Sequence, residues 1–105
     1  MATLATATIT AQDTWTDTVG IVGYFNFSVV AATGTPGTLG GTTVTVQRST
    51  DKTTWRDVDS FTTSAEDVGF DAELMWYRAG VKTGNYTASV IVRLGTSANG
   101  LVGNQ

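Results

Sequence analysis

The side chains of this chain that could do chemistry are its carboxylates and its tryptophans, because the sequence contains no histidine and no cysteine. The missing residue types exclude the commonest general base, thiolate metal sites, disulfides and every Ser-His or Cys-His nucleophile. We therefore expect a protein that is not an enzyme. We also expect it to hold no organic cofactor and no transition metal.

The densest group of carboxylates lies in residues 62–73. Four of the nine acidic residues are found there: Glu66, Asp67, Asp71 and Glu73. Clustered carboxylates can bind Ca²⁺, but the D-x-[DN]-x-[DN]-G spacing of an EF-hand loop is absent. We interpret the segment as a solvated acidic loop and keep a weak Ca²⁺ site as the alternative.

Paired carboxylates are also the arrangement used in glycoside hydrolysis. The candidates for such a pair are Asp57, Asp59, Asp71 and Glu73. A chain of 105 residues lacks the large domain that shapes a sugar cleft, so we do not expect this activity. The glycine-rich segment 33–41 also lacks the G-x-x-x-x-G-K-[ST] pattern of a phosphate-binding loop.

Three tryptophans, Trp15, Trp55 and Trp76, are the side chains best suited to binding a partner. An exposed indole can stack on the face of a sugar ring, and Trp and Arg are also residue types that dominate protein–protein interfaces. We expect Trp55 to pack in the core and Trp76 to lie at a subunit interface. A sugar platform is the alternative for both.

The elements that position these side chains are predicted to be strands, because apolar and polar residues alternate with a period of two. Charged residues make up only 14% of a Thr-, Gly-, Ala- and Val-rich chain, a composition that favours strands and turns over helices. We predict an all-β fold, an antiparallel β-sandwich of six to seven strands, either immunoglobulin-like or jelly-roll-like. The predicted strands cover residues 1–11, 21–31, 43–47, 54–61, 74–82 and 86–94.

A chain of this length is predicted to form one domain. Residues 1–20 form an N-terminal strand or arm, residues 21–95 the β-sandwich core, and residues 96–105 a flexible tail. The arm is either an ordinary first strand or a segment that extends the sheet of a neighbouring subunit. The predicted buried residues are Phe25, Phe27, Val44, Val46, Tyr77, Val81, Val90 and Val92.

Residues 42–61 are predicted to form a central hairpin around the polar turn Ser49–Thr53. In its returning strand, Trp55 and Val58 are three residues apart, which breaks the alternation. A one-residue bulge near residues 56–57 would bring both to the core face. Val58 would then lie opposite Val46, and Arg48 would lie beside Trp55 in a cation–π contact.

The last two predicted strands form a second hairpin that turns at Gly84-Asn85, with a positive φ at Gly84. Its outward face would place Trp76 and Arg78 near Ile91 and Arg93. Together with the arm, this face is the predicted interface. The candidate interface residues are Leu4, Ile9, Trp76, Arg78, Ile91 and Arg93.

The turn of the central hairpin carries a family resemblance. The run S-T-D-K-T-T-W at residues 49–55 is similar to an Asp-box, the S-x-D-x-G-x-T-W turn of sialidases and of many secreted and phage β-proteins. It is one residue short and lacks the glycine. The Asp-box is a structural turn remote from catalysis, so the resemblance implies no activity.

A broader resemblance covers roughly residues 42–95. The run TVTVQRSTDKTTWRDVDSF, followed by WYRAGVKTGNYTASVIVRLG, resembles small β-sandwich virion proteins of tailed bacteriophages. This resemblance implies a capsid decoration, or cement, protein that binds the major capsid protein and itself as a trimer. It further implies synthesis in the host cytoplasm and a final location on the capsid surface. The alternative is a tail, neck or head-fibre appendage that binds glycans.

Other partners are less compatible with the sequence. A formal charge of −3 argues against nucleic acid, which attracts basic surfaces. No apolar run approaches the roughly 18 residues that span a bilayer, so we expect no membrane partner. The segment Met1–Leu4 lacks the basic and apolar regions of a signal peptide.

Overall fold

A computed structural model describes residues 2–32 and 38–96, and only the backbone of residues 2–4. The described residues form strands and no helix. The strands are β1 (Ala2–Ile9), β2 (Thr14–Trp15), β3 (Val19–Ala31), β4 (Val44–Ser49), β5 (Arg56–Phe61), β6 (Ala65–Val81) and β7 (Val90–Thr96). Antiparallel pairing joins them in the order β1-β7-β3-β6-β4-β5, with β2 also paired to β6. The prediction of an all-β, sandwich-like antiparallel fold is confirmed.

The two longest strands, β3 and β6, form the middle of the sheet. Their pairing is interrupted, because Ile21 faces Met75 whereas Gly23 faces Asp71, and three residues of β6 are left opposite Val22. Gly23 has a φ of 87°, in the left-handed region that favours glycine. Bulges bend the strands that carry them, so β3 and β6 can curve around the core.

The hydrophobic core contains seven of the eight residues predicted to be buried. They are Phe27, Val44, Val46, Tyr77, Val81, Val90 and Val92. The eighth, Phe25, is half-buried and packs its ring against Tyr77, with centroids 4.7 Å apart. Leu39, from the segment predicted as a loop, is also fully buried, which the alternation of the strands could not indicate.

The prediction of an acidic loop over residues 62–73 is wrong. β6 begins at Ala65, and its first half pairs with β3, where Asp67 faces Phe27 and Asp71 faces Gly23. The low strand propensity of acidic residues is overridden here because the apolar strand β3 supplies a pairing partner.

The prediction of a final hairpin is also wrong. Gly84 has the expected positive φ of 87°, and the N–H of Asn85 donates to the carbonyl of Lys82 at 3.1 Å. However, β7 lies between β1 and β3 rather than beside β6. The Oγ1 atom of Thr42 accepts bonds from the backbone N–H groups of Thr87 and Ala88 at 2.9 and 2.7 Å. These bonds tie the segment before β7 to Thr42, just ahead of β4.

The central hairpin forms with a bulge, but at a different residue from the one predicted. Val46 faces Asp59 and Gln47 faces Asp57, so Val58 is the extra residue and is exposed. The predicted position of Val58 opposite Val46 is therefore wrong. Trp55 is half-buried, and the guanidinium that lies over its ring is that of Arg78 rather than the predicted one of Arg48.

The Asp-box-like turn is held by a local hydrogen-bond network. The Ser49 Oγ atom accepts bonds from the N–H groups of Asp51 and Lys52, and Asp51 Oδ1 accepts from Thr53 and Thr54. The bonds from Thr54, Thr53 and the Ser49 hydroxyl lower the pKa of Asp51, with the Thr54 bond contributing most. Lys52 has a φ of 66°, a left-handed conformation for which glycine is the least strained residue.

Candidate assembly surfaces

The outer face of the β3–β6 pair exposes large apolar side chains that are close together. Tyr24 and Phe70 face each other across the two strands, and their ring centroids are 4.9 Å apart. Tyr24, Phe70 and Val68 are 65%, 58% and 77% exposed. We call the following residues the apolar outer face: Val22, Tyr24, Val68, Phe70 and Leu74. Contiguous exposed apolar area of this kind marks interaction sites in soluble proteins.

The alternation on β6 is inverted relative to an ordinary half-buried strand. Val68 and Phe70 point outward, whereas Asp71 is buried. Between them, Gly69 lies beneath the ring of Phe25, where an added Cβ would be 2.5 Å from Phe25 Cζ. Sequence reasoning missed this surface because four acidic residues made the segment look like a loop. The signal that could have identified it was the alternation of Val68 and Phe70 with polar residues and glycine, which indicates a strand.

The inward carboxylate of Asp71 is compensated by two neighbours. Its Oδ1 atom accepts a bond from Arg48 Nη2 at 2.7 Å, and its Oδ2 atom accepts one from the Tyr77 hydroxyl at 2.5 Å. Burial and the bond to Asp71 raise the pKa of Tyr77 above its ordinary value. The same carboxylate raises the pKa of Arg48. A buried charge that is paired and hydrogen-bonded in this way is tolerated in a core.

A second surface, on the outside of β2, β4, β5 and β6, brings tryptophans and one arginine together. The Arg78 guanidinium lies 4.4 Å from the ring centroid of Trp15 and 4.4 Å from that of Trp55. Arg78 Nε also donates to Gln47 Oε1 at 2.8 Å. Burial lowers the pKa of Arg78, and the nearby charge of Asp13 acts in the opposite direction. The predicted core position of Trp55 is therefore wrong, because its ring lies in this outer stack.

Polar contacts flank this surface, which we call the tryptophan face and which consists of Trp15, Trp55, Trp76 and Arg78. Gln47 Nε2 donates to Asp57 Oδ1 at 2.9 Å, and Asp57 also pairs with Lys82. The Lys82 and Gln47 bonds lower the pKa of Asp57. On the other side, Lys52 Nζ lies 4.3 Å from the ring centroid of Trp76. Each of the three indoles thus already contacts a cation of its own chain, which limits the ring area available for stacking on a sugar.

The remaining predicted interface residues lie elsewhere. Ile91 faces Val30 on β3, whereas Trp76 faces Gly20, so the two sites are about ten residues apart along β3. At ~3.3 Å per residue this is about 33 Å. The predicted proximity of Ile91 and Arg93 to Trp76 and Arg78 is wrong, because β3 separates β7 from β6. Arg93 Nη1 instead donates to Asn26 Oδ1 at 3.1 Å.

The predicted arm lies at one edge of the sheet of its own chain. β1 pairs with β7 from Ala2 opposite Thr96 to Ile9 opposite Val90. Ile9 is fully buried in the core, so it is not available at a surface. The side chain of Leu4 and the predicted tail beyond Thr96 lie outside the described residues; Thr96 itself belongs to β7.

Comparisons with protein-family models, curated proteins and solved structures give no match for this chain. Its function must therefore be inferred from its own surfaces. Among residues 2–32 and 38–96, no three potential metal ligands converge on one point. Glu66 and Asp67 point to opposite faces of β6 and Asp71 is engaged by Arg48, so the alternative of a Ca²⁺ site in this segment is not supported. The same residues contain no helix long and apolar enough to cross a membrane.

Proposed function

We propose that this protein is a non-catalytic structural component of a phage virion, a decoration protein that binds the major capsid protein and stabilises the head. The observation that supports an assembly role best is the apolar outer face. On β6, Val68 and Phe70 expose their apolar side chains to solvent, whereas the carboxylate of Asp71 is buried on the other side. Exposing apolar side chains while burying a carboxylate lowers the stability of an isolated domain. A partner that covers the outer face would offset this loss.

The first occupant of the apolar outer face is another copy of the same chain. A subunit that left this face open before meeting a capsid would tend to associate nonspecifically, and self-association in a closed ring prevents this. Burying an aromatic or branched apolar side chain contributes on the order of 1.5–3 kcal/mol. Covering Tyr24, Phe70 and Val68 in each subunit therefore favours association, and the gain offsets part of the entropic cost of bringing the subunits together. A trimer is the state that matches a three-fold position of a capsid lattice.

The setting in a phage head is supported by the resemblance of residues 42–95 to small virion proteins. The edge strands β1 and β5 add surfaces suited to a lattice, because their outer backbone groups can pair with another chain. The competing sugar-binding role is disfavoured by the tryptophan face. Arg78 lies against two of its rings and Lys52 against the third.

The test compares the double variant Tyr24→Ser/Phe70→Ser with Val30→Ser, a control at an exposed apolar residue near the other end of β3. Light scattering coupled to size exclusion gives the oligomeric state, and thermal melts check folding. Sedimentation with capsids that lack the protein gives binding. We expect wild type and Val30→Ser to be trimers that coat capsids in hundreds of copies. The double variant should remain folded but become monomeric and bind capsids at least tenfold more weakly.

Two results would overturn the proposal. In the first, the double variant remains trimeric and saturates capsids as wild type does. In the second, wild type is a monomer that binds glycans but not capsids, and the appendage role then replaces decoration. A copy number of six to eighteen per virion would likewise indicate a tail or neck position.

A further inference from the structure

A cavity of about 280 Å³ lies between β5 and the first half of β6. Its walls are mainly apolar and include the rings of Phe27 and Phe61, stacked with centroids 5.1 Å apart and planes 22° from parallel. Phe25 and the exposed bulge residue Val58 also line the cavity, as do Val68 and Phe70 of the apolar outer face. None of these residues belongs to the tryptophan face.

The polar groups of the cavity divide into two sets. Arg48 and Tyr77 are both bound to Asp71, at 2.7 and 2.5 Å, so the positive charge of Arg48 is offset by that carboxylate. Asp59 and Asp67 form the second set. Both are exposed residues that line the cavity, and they lie opposite the buried residues Val46 and Phe27 in the strand pairing. Neither forms an ion pair within the described part of the chain.

The two carboxylates at the cavity disfavour each other's charge. Burial first, and then the neighbouring Asp67, raise the pKa of Asp59 above its ordinary value. A cation placed between them would relieve the repulsion, whereas an anion would increase it. Aromatic rings next to such a site also attract cations.

We propose that this cavity binds a primary alkylammonium group, presented as the lysine side chain of a partner protein. The apolar stem would lie along Phe27, Phe61 and Val58, and the ammonium group would lie between Asp59 and Asp67. The volume supports a single side chain, because ligand pockets for larger molecules begin near ~300 Å³. The site goes beyond the proposed function, since its charged residues Asp59 and Asp67 lie outside the apolar outer face and its test requires no capsid.

The experiment titrates isolated protein with N-acetyl-lysine methylamide at neutral pH and follows backbone amide shifts. The norleucine analogue has the same stem without the charge and serves as the ligand control. We expect saturable shifts at Val58, Asp59, Phe61 and Asp67 with the lysine probe, and at least tenfold weaker binding of norleucine. Binding should weaken as the pH falls and Asp59 becomes protonated.

Two variants with the same change in net charge separate the site from a general electrostatic effect. Asp59→Asn/Asp67→Asn should weaken lysine binding at least tenfold, whereas Asp17→Asn/Glu73→Gln, at exposed positions outside the cavity, should not. The proposal is overturned if the lysine probe gives no saturable shifts, if norleucine binds equally well, or if both variants behave alike. Because no capsid is involved, its failure is independent of the decoration role.

Discussion

Trp15 lies directly opposite Gly80 in the antiparallel pairing of β2 with β6. A Cβ atom added to Gly80 would be 2.7 Å from the Trp15 Cα atom and 2.1 Å from the carbonyl oxygen of Thr14. These obstacles are backbone atoms, which cannot move away without displacing β2. The missing side chain at Gly80 therefore lets β2 lie against β6 and places the Trp15 ring beside Arg78.

Gly80→Ala is accordingly expected to destabilise the protein strongly. Overpacking of this kind costs about 1–3 kcal/mol and more where backbone must shift. Gly69→Ala is the matched control, since its Cβ would approach the ring of Phe25, a side chain that can turn. Chemical unfolding should give a clearly larger loss for Gly80→Ala, and an equal or smaller loss would show that β2 is displaced easily.

Arg78→Lys tests the tryptophan stack. The substitution keeps the charge but removes the planar guanidinium that lies against Trp15 and Trp55 and bonds Gln47. We expect a loss of about 1–2 kcal/mol in the free energy of unfolding, because cation–π contacts contribute ~0.5–2 kcal/mol depending on desolvation.

The matched control for this stack is Arg56→Lys, at an exposed position, which should change stability by less than ~0.5 kcal/mol. Equal effects of the two substitutions would mean that the stack contributes nothing beyond charge. Urea unfolding monitored by tryptophan fluorescence measures both.

The strands and most of the core could be predicted because alternation is a local property. Val44 and Val46, or Val90 and Val92, reveal their buried face without knowledge of their partners. The first half of β6 could not be predicted in this way, whereas its second half falls within the predicted strand 74–82. Its first half is a strand only because β3 lies beside it, and its apolar residues point outward. A one-residue change of register at Val58 likewise depends on the partner strand.

The candidate surfaces were predictable in residue type but not in geometry. The three tryptophans and Arg78 were identified from the sequence. Their arrangement follows from two registers that are non-local, Trp15 opposite Gly80 and Gln47 opposite Arg78. The apolar outer face was missed for the same reason, because Tyr24 and Phe70 become neighbours only through strand pairing.

Two substitutions on β3 test which face is the core. Phe27 is 3% exposed and stacks on Phe61, so Phe27→Ala should cost about 3–5 kcal/mol. Tyr24 is on the opposite face, and Tyr24→Ala should change the stability of the monomer by less than ~1 kcal/mol. Denaturant midpoints measured at low protein concentration compare them. Similar losses of unfolding free energy in the two variants would show that Tyr24 is not on the outer face.

Tyr77 should make the stability of the protein fall at alkaline pH. Its pKa in the folded state is raised by burial and by Asp71, whereas in the unfolded chain it is close to the ordinary value of about 10. The folded state thus holds this proton more tightly than the unfolded state. The corresponding stabilisation is complete below pH ~10 and is lost as the pH rises above it, by at most ~1.4 kcal/mol per pH unit.

Tyr77→Phe removes this titration, together with one hydrogen-bond donor to the buried Asp71. At neutral pH the variant should be less stable than wild type by about 1–3 kcal/mol, because Asp71 loses a partner. Above pH ~10 only wild type carries the additional loss, so the difference between the two proteins should shrink. Tyr24→Phe, at an exposed position, controls for general alkaline effects. Urea midpoints at pH 8, 10 and 11 measure the difference, and a constant difference across this range would contradict the assigned coupling between Tyr77 and Asp71.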